Sequence, residues 1–227
     1  MSFTNNIFRR RNLRLFLRKI VNNFKKTPNI NQRKWFKDDG DNTLRLAYNL
    51  DKNSVFIEVG GYKGFYARKI INKFDPITFI FEPDTECIEI LEEEFNNNAK
   101  IINKALGNTD GQVNLIEKGD SSFIGDVSEQ FINSKKVEMI SYDTFANNEN
   151  LKKVDLISIN IEGGEYKLID HIIEKKHIEN IKHLQVQFHK NIKGHKKLKK
   201  ALYDKLSKTH KLEWSYNYVW ESWKLKI

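Results

Sequence analysis

The chain has 227 residues, 39% hydrophobic and 12% aromatic, enough for one large domain with a real core. Its single cysteine, Cys87, excludes an internal disulfide framework. No apolar run approaches the roughly 18–20 residues of a spanning helix, and no apolar signal-peptide core is present, so a cytoplasmic protein is expected. The net charge of +9 sits at one end: residues 1–37 hold eleven Lys or Arg and no acid, leaving 28 basic against 30 acidic residues, so the globular part is near neutral and the high pI does not argue for a nucleic-acid enzyme.

In the basic segment, Leu13, Phe16, Leu17, Ile20, Val21 and Phe24 recur at helical spacing, with Arg9, Arg10, Arg11, Arg14, Arg18 and Lys19 around them. This reads as an amphipathic helix that packs on the domain or on a second copy of the chain, or lies on an anionic membrane surface, the remaining alternative being a disordered segment. Pro28 ends it, and residues 1–40 are read as an arm ahead of a domain over 41–227. A helix is expected over 42–50, then a strand in "SVFIEV" (54–59), a glycine turn and a helix to 73. "PITFIFEPD" (76–84) reads as strand, 85–98 as helix, and "AKIINKAL" (99–106) as a third strand. An alternating strand follows in "GQVNLIE". Residues 118–150 read as polar and irregular, with a short strand near 137–142. "VDLISINI" (154–161) is a fourth major strand with a helix to 176. "HLQVQFH" (183–189) is a fifth, before a Lys-rich helix over 193–208 and two closing strands near 211–217 and 219–226. Such alternation predicts a doubly wound α/β domain with a mostly parallel sheet, its ligand beyond the carboxyl ends of the strands.

Those strand ends carry the chemistry. After the first come Glu58, Gly60, Gly61 and Gly64. Glycines let the backbone turn and approach a ligand closely, but G-G-x-x-G is neither the dinucleotide fingerprint nor a phosphate loop. Glu58 repels an anion and welcomes an ammonium group. The second strand ends in "FEPD", placing Glu82 22 residues beyond Gly60, the spacing of an acid that accepts ribose hydroxyls; Asp84 is the better helix cap. Ala105 and Leu106 end the third and can wall a purine, or simply pack in the core. Adenosine, an amine and no phosphates together describe S-adenosylmethionine. The fourth strand ends in "DLISINIEGGEY" (155–166), where Asn160, Glu162 and Glu165 surround a Gly-Gly pair.

"VFIEVGGYKG", "FIFEPD", "ALGNTDG" and "DLISINIEGGEYKLI", in this order and spacing, resemble the FkbM family of S-adenosylmethionine-dependent methyltransferases. The resemblance implies a class I methyltransferase fold: a Rossmann-like, doubly wound sheet, mostly parallel with an antiparallel C-terminal strand. It implies that Glu58, Gly60, Gly61 and Gly64 cradle the methionine part, that Glu82 holds the ribose and that Ala105 and Leu106 flank adenine. Ser121 and Ser122 answer to serines near the cofactor, and Asn160 faces it. Where the family reads K-I-D-x-E-G-x-E, this chain has Ser158 and Asn160 in place of the lysine and aspartate. Asn160 keeps hydrogen-bonding capacity but cannot take a proton. Gln187 stands where an acid often precedes the apolar-His pair, and Gly61 where alanine is common.

A hydroxyl acceptor must lose a proton to a positioned base. By type and placement His189 is the first candidate and Glu162 the second. Glu165 reads as a favourable charge near a helix N-terminus, and His171, His177, His183, His195 and His210 as surface or helix residues. No spacing suggests a metal site, and none is expected. The reading is an O-methyltransferase acting on a sugar hydroxyl of a glycan or glycosylated metabolite, this acceptor class being implied by the resemblance. Trp214, Tyr216, Tyr218, Trp220 and Trp223 either stack on that sugar or form the core of the closing strands. The alternative is a non-catalytic methyltransferase-fold module that binds a ligand or partner, motivated by Asn160. A nucleic-acid partner is not expected, because Asn160 is followed by Ile161, Glu162 and Gly163 rather than by a proline pair and a stacking aromatic.

Overall fold

A computed structural model describes residues 28–118, 121–125 and 134–226. The helix expected over 13–24 lies outside these residues. The central sheet has seven strands: β1 (Val55–Val59), β2 (Ile77–Phe81), β3 (Lys100–Ile102), β8 (Val154–Ile159), β9 (Ile181–Val186), β10 (His210–Tyr216) and β11 (Trp220–Leu225). Their order is β10-β11-β9-β8-β1-β2-β3. All pairs are parallel except β11, which runs antiparallel to both neighbours. The order reverses between β1 and β8: β1 leads to β2 on one side and β8 to β9 on the other. Their carboxyl ends therefore open the crevice where ligands of such sheets bind.

Helices α2 (Phe65–Phe74) and α3 (Thr85–Phe95) cover one face; α4 (Tyr142–Asn148), α5 (Glu165–Glu174) and α6 (His195–Leu206) cover the other. All six residues of β8 are buried, as a central strand covered on both faces requires. Side chains alternate. Phe56 and Leu156 join the core under α2 and α3, whereas Ile57, Val59, Ile157 and Ile159 join the core under the opposite helices. The same alternation lays Glu58, Ser158, Gln185 and Ser222 side by side across four strands. This polar row is closed by Tyr48, whose hydroxyl meets Ser222 Oγ at 3.0 Å and receives Gln185 Nε2 at 2.9 Å, and by Arg45, which donates to Gln185 Oε1 at 2.8 Å. The guanidinium of Arg45 is sandwiched between the rings of Tyr66 and Trp220, 3.8 Å from each centroid, an arrangement that stabilises a cation beside aromatic faces.

Four departures from the sequence reading have physical causes. Residues 42–50 form only a short 3-10 turn, Leu44–Leu46; Leu44, Leu46, Tyr48 and Leu50 repeat every two residues, a strand-like rather than a helical period. The third strand is split at Asn103-Lys104, where Lys104 N bonds Ile102 O at 2.8 Å. Its second half, β4 (Ala105–Gly107), leaves for a separate sheet. That sheet adds β5 (Gly111–Lys118), β6 (Ser121–Gly125) and β7 (Ser134–Ser141) in the order β4-β7-β5-β6, so the segment expected to be largely irregular is a small sheet followed by α4, which Ser141 caps through Thr144 N. Finally, part of the expected arm is integral to the fold. Helix α1 (Ile30–Lys37) starts with a capping box between Asn29 and Gln32 and buries Trp35 against Val219, Trp220, Trp214 and Tyr216. Within the described residues, the boundary expected at residue 40 does not separate two bodies. No helix of the described residues is long and apolar enough to cross a membrane.

Candidate active site

A cleft of about 820 Å³, open mouth included, lies over the carboxyl ends of β1, β2 and β8. Gly60 enters it from the first loop, Glu82, Pro83 and Asp84 from the second, Ala105 and Leu106 from β4, and Asn160, Ile161 and Glu162 from the fourth major strand.

The first loop reaches the cleft because it is drawn tight. Gly60 N and Gly61 N both bond Phe81 O at 3.0 Å. Gly60 has φ +85°, and a Cβ there would fall 2.2 Å from Asn160 O; only glycine lets the loops after β1 and β8 touch. Gly61 and Gly64 serve the packing beneath: a Cβ on either would meet Ile80 or Phe95 at 2.3 Å. They do not line the cleft. Neither does Glu58, which lies in the strand-face row under α2, where its carboxylate accepts from Ala67 N at 3.1 Å. Burial, only partly offset by the charge of Arg45 and that hydrogen bond, pushes its carboxyl up to about 8.

Glu82 is buried at the cleft wall. It accepts from Tyr62 N at 2.8 Å on one oxygen and from Asp84 N at 2.9 Å on the other. Burial raises its pKa against those two bonds. Each oxygen keeps a second lone pair for a hydroxyl donor. Asp84 itself caps α3 and takes Lys135 of β7 at 2.7 Å, tying the small sheet to the rim. That sheet supplies Leu115 and Ile124, paired directly across β5 and β6. With Ala105 and Leu106 they make the apolar part of the lining. Ser122 pairs with Glu117 in the same ladder; its side chain lies outside the described part of the molecule.

The opposite edge holds a charged chain. Glu165 is fully buried. One carboxylate oxygen accepts from Gly163 N at 2.7 Å; the other accepts from His189 N at 2.7 Å and faces His189 Nδ1 at 3.2 Å. Glu165 thus staples the loop after β8 to the end of β9, a positioning role beyond the helix-end charge that its place in the sequence suggested. His189 Nε2 lies 3.5 Å from Glu162 Oε1. Burial alone would lower the imidazole pKa, but the bonds to Glu162 and Glu165 outweigh it and lift it to about 9. At neutral pH His189 is therefore an imidazolium, and it stands behind Glu162 rather than on the cleft lining. The base role expected of it does not fit this charge state, because a protonated imidazole has no lone pair to accept a proton. Glu162 is the carboxylate at the cleft.

Asn160 Oδ1 is buried and, among the described residues, meets no hydrogen-bond donor. A buried acceptor left unpaired costs about 1–3 kcal/mol, and this one lies on the cleft lining, where a ligand donor could reach it. Tyr62, Cys87, Leu115, Ile124 and Ile161 also line the cleft and were not singled out from the sequence. The alternation in "VNLIE" was the available signal for Leu115. Of the closing aromatics, Trp220 and Trp223 are buried, Trp214 and Tyr216 pack on Trp35, and Tyr218 stands at the turn between β10 and β11.

A buried acid after β2, an apolar wall, a glycine turn without phosphate-loop geometry and a carboxylate-imidazolium edge, all over the switch point of a doubly wound sheet, are the parts of a class I methyltransferase architecture. Residues 6–218 match the methyltransferase FkbM domain, and the chain belongs to that family. Its methyl donor is S-adenosylmethionine, and the residues present fit it: Glu82 would accept from the ribose hydroxyls, Asn160 Oδ1 from a further donor, and Ala105, Leu106, Leu115 and Ile124 would flank the base. No curated protein matches the chain in sequence. Among solved structures, a candidate rRNA methylase from Clostridium thermocellum is similar at 7% identity, covering 84% of this chain and 95% of that one with a TM-score of 0.50. A methyltransferase-fold protein of Streptococcus mutans in complex with SAH follows at 12% identity, 84% and 97% coverage and a TM-score of 0.45. These likenesses concern the fold alone.

Proposed function

We propose that the protein transfers the methyl group of S-adenosylmethionine to a hydroxyl of a sugar, in a glycan or a glycosylated metabolite, in the cytoplasm. The observation that carries this reading is the placement of Glu162: a carboxylate on the cleft lining, backed at 3.5 Å by the His189 imidazolium. A sulfonium methyl is already activated for in-line displacement, so the protein's tasks are orientation and proton removal. Gly60 and Asn160 bring the backbones of the first and fourth loops together at the reacting end. Glu82 and the apolar wall fix the nucleoside end. Glu162 accepts the hydroxyl proton as the carbon–oxygen bond forms and the carbon–sulfur bond breaks. His189, held by Glu165, fixes the Glu162 carboxylate and compensates its charge. Neither a proline pair nor a stacking aromatic follows Asn160, which supports a hydroxyl acceptor over a nucleic-acid base.

The test is methyl incorporation from labelled cofactor into sugars and glycans, with calorimetry of S-adenosylhomocysteine binding alongside. Glu162→Gln should lower kcat by about 10²-fold or more while leaving the affinity for S-adenosylhomocysteine within about twofold. A variant with unchanged turnover would remove Glu162 from the mechanism. Binding with no methyl transfer to any hydroxyl would instead favour a non-catalytic binding module.

A further inference from the structure

We propose, building on the O-methyltransferase reading, that the acceptor is an acidic sugar, a saccharide bearing a carboxylate or phosphate that lysines of the β9–α6 loop hold beside Glu162. That loop leaves β9 at the ligand edge of the sheet and packs on the loop that carries Glu162. Asn191 Nδ2 donates to Glu162 O at 2.7 Å, and a Cβ on Gly163 would meet Ile192 at 2.5 Å. Residues on it therefore stand next to the reacting edge of the cleft.

Residues 190–197 contain Lys190, Lys193, Lys196, Lys197 and His195, and no acid. All four lysines are exposed, and among the described residues none forms an ion pair. The lysines just beyond behave otherwise: Lys199 is buried against Glu221, and Lys200 meets Asp204 at 3.0 Å. The Lys190 ammonium lies 4.7 Å from the ring centroid of Tyr218, whose hydroxyl meets His195 Nδ1 at 2.7 Å. The loop thus packs on the β10–β11 turn through Tyr218. Tyr218 is held there in the left-handed region at φ 59°, as is Glu162 at φ 54°, a backbone conformation that costs free energy and clusters at ligand sites.

This concentration of cations is unfavourable without a ligand. The lysines repel one another, and α6 begins at His195 with no acid in its first turn, so they face the positive end of its dipole. Being exposed, they gain little from packing in return. An anionic group at the rim offsets both terms. The far side of the cleft selects the kind of anion. There Glu82 and Asp84 line the cleft and Glu86 is exposed in the first turn of α3, charges that disfavour a polyanion lying across the mouth. A compact acidic sugar, with its charge a ring or so from the methylated hydroxyl, meets only the lysines.

The experiment compares kcat/KM for matched acceptors: uronate-containing oligosaccharides against their carboxyl-reduced forms, and phosphorylated sugars against their dephosphorylated forms. The charged member of at least one pair should be preferred about tenfold or more, the preference shrinking between about 50 and about 500 mM salt. The responding pair identifies carboxylate or phosphate. The triple variant Lys190→Gln, Lys193→Gln, Lys197→Gln should raise KM for that acceptor about tenfold, with kcat and S-adenosylhomocysteine affinity little changed. Equal kcat/KM within both pairs, a preference that survives the triple variant, or preferential methylation of RNA overturns the proposal. Methylation of neutral and acidic sugars alike leaves the O-methyltransferase reading standing and removes this one. Binding of S-adenosylhomocysteine without methylation of any sugar removes both.

Discussion

Asn160 follows β8 with its backbone N–H bonded to Val59 O at 3.0 Å and its side-chain oxygen buried without a donor among the described residues. Stability and binding therefore respond to this residue with opposite signs. Asn160→Ala removes an unpaired acceptor, so the unliganded protein should be no less stable in urea and gain up to about 1 kcal/mol. Its dissociation constant for S-adenosylhomocysteine should rise by about fivefold or more. A loss of stability comparable to the loss of affinity would show that Asn160 serves the fold instead. Glu58 gives a second residue-scale expectation. Its folded pKa of about 8 stands well above the ordinary value of 4.5, so the folded state keeps a proton that the unfolded state releases. The stability this supplies is fully present below pH 4.5 and is lost as pH rises through 8, at up to about 1.4 kcal/mol per pH unit in between. Glu58→Gln retains an acceptor for Ala67 N and cannot ionise. Unfolding free energies of wild type and variant, measured from pH 4.5 to 8, should diverge in favour of the variant as pH rises; a constant difference would count against a protonated Glu58.

At the scale of elements, α1 and the β10–β11 hairpin behave as one unit. Trp35 is 2% exposed and lies 5.1 Å from Tyr216 and 5.8 Å from Trp214, ring centre to ring centre. Tyr216 also donates to Asp38 Oδ2 at 2.6 Å. Trp35→Ala should cost about 3–5 kcal/mol in equilibrium unfolding. A cost below about 1 kcal/mol would mean that α1 is a loose appendage. The small sheet is a second case of an element defined by what it covers. Nothing in Leu115 or Ile124 marks a ligand wall; their pairing across β5 and β6, and the Lys135–Asp84 contact that anchors β7 to the rim, bring them over the cleft. The family motifs cover the central sheet and, in the small one, only β4, so motif reading finds Ala105 and Leu106 and passes over what β5 and β6 add to the lining.

For the molecule as a whole, ligand binding and stability are linked. S-adenosylhomocysteine at about 100 times its dissociation constant adds about 2.7 kcal/mol, or roughly 5–10 °C in Tm for a chain of this size. Glu82→Ala should abolish most of that shift at the same ligand concentration, since it removes the acceptor placed for the ribose; an unchanged shift would take Glu82 out of the site. How much of this was legible in the sequence follows from the range of the interactions. Alternating apolar runs, glycine turns and the order of the four motif segments depend on neighbours a few residues apart. They therefore determined the doubly wound sheet, its antiparallel closing strand, the family, and Gly60, Glu82, Ala105, Leu106, Asn160 and Glu162 as residues at strand ends. Only the tertiary structure decided which of the motif residues line the cleft. Strand alternation turns Glu58 under α2, and core packing claims Gly61 and Gly64. The charge of His189 was likewise beyond the sequence: it is set by two carboxylates that reach it from another loop, 24 and 27 residues earlier in the chain, and proximity of that kind exists only once the strands are paired.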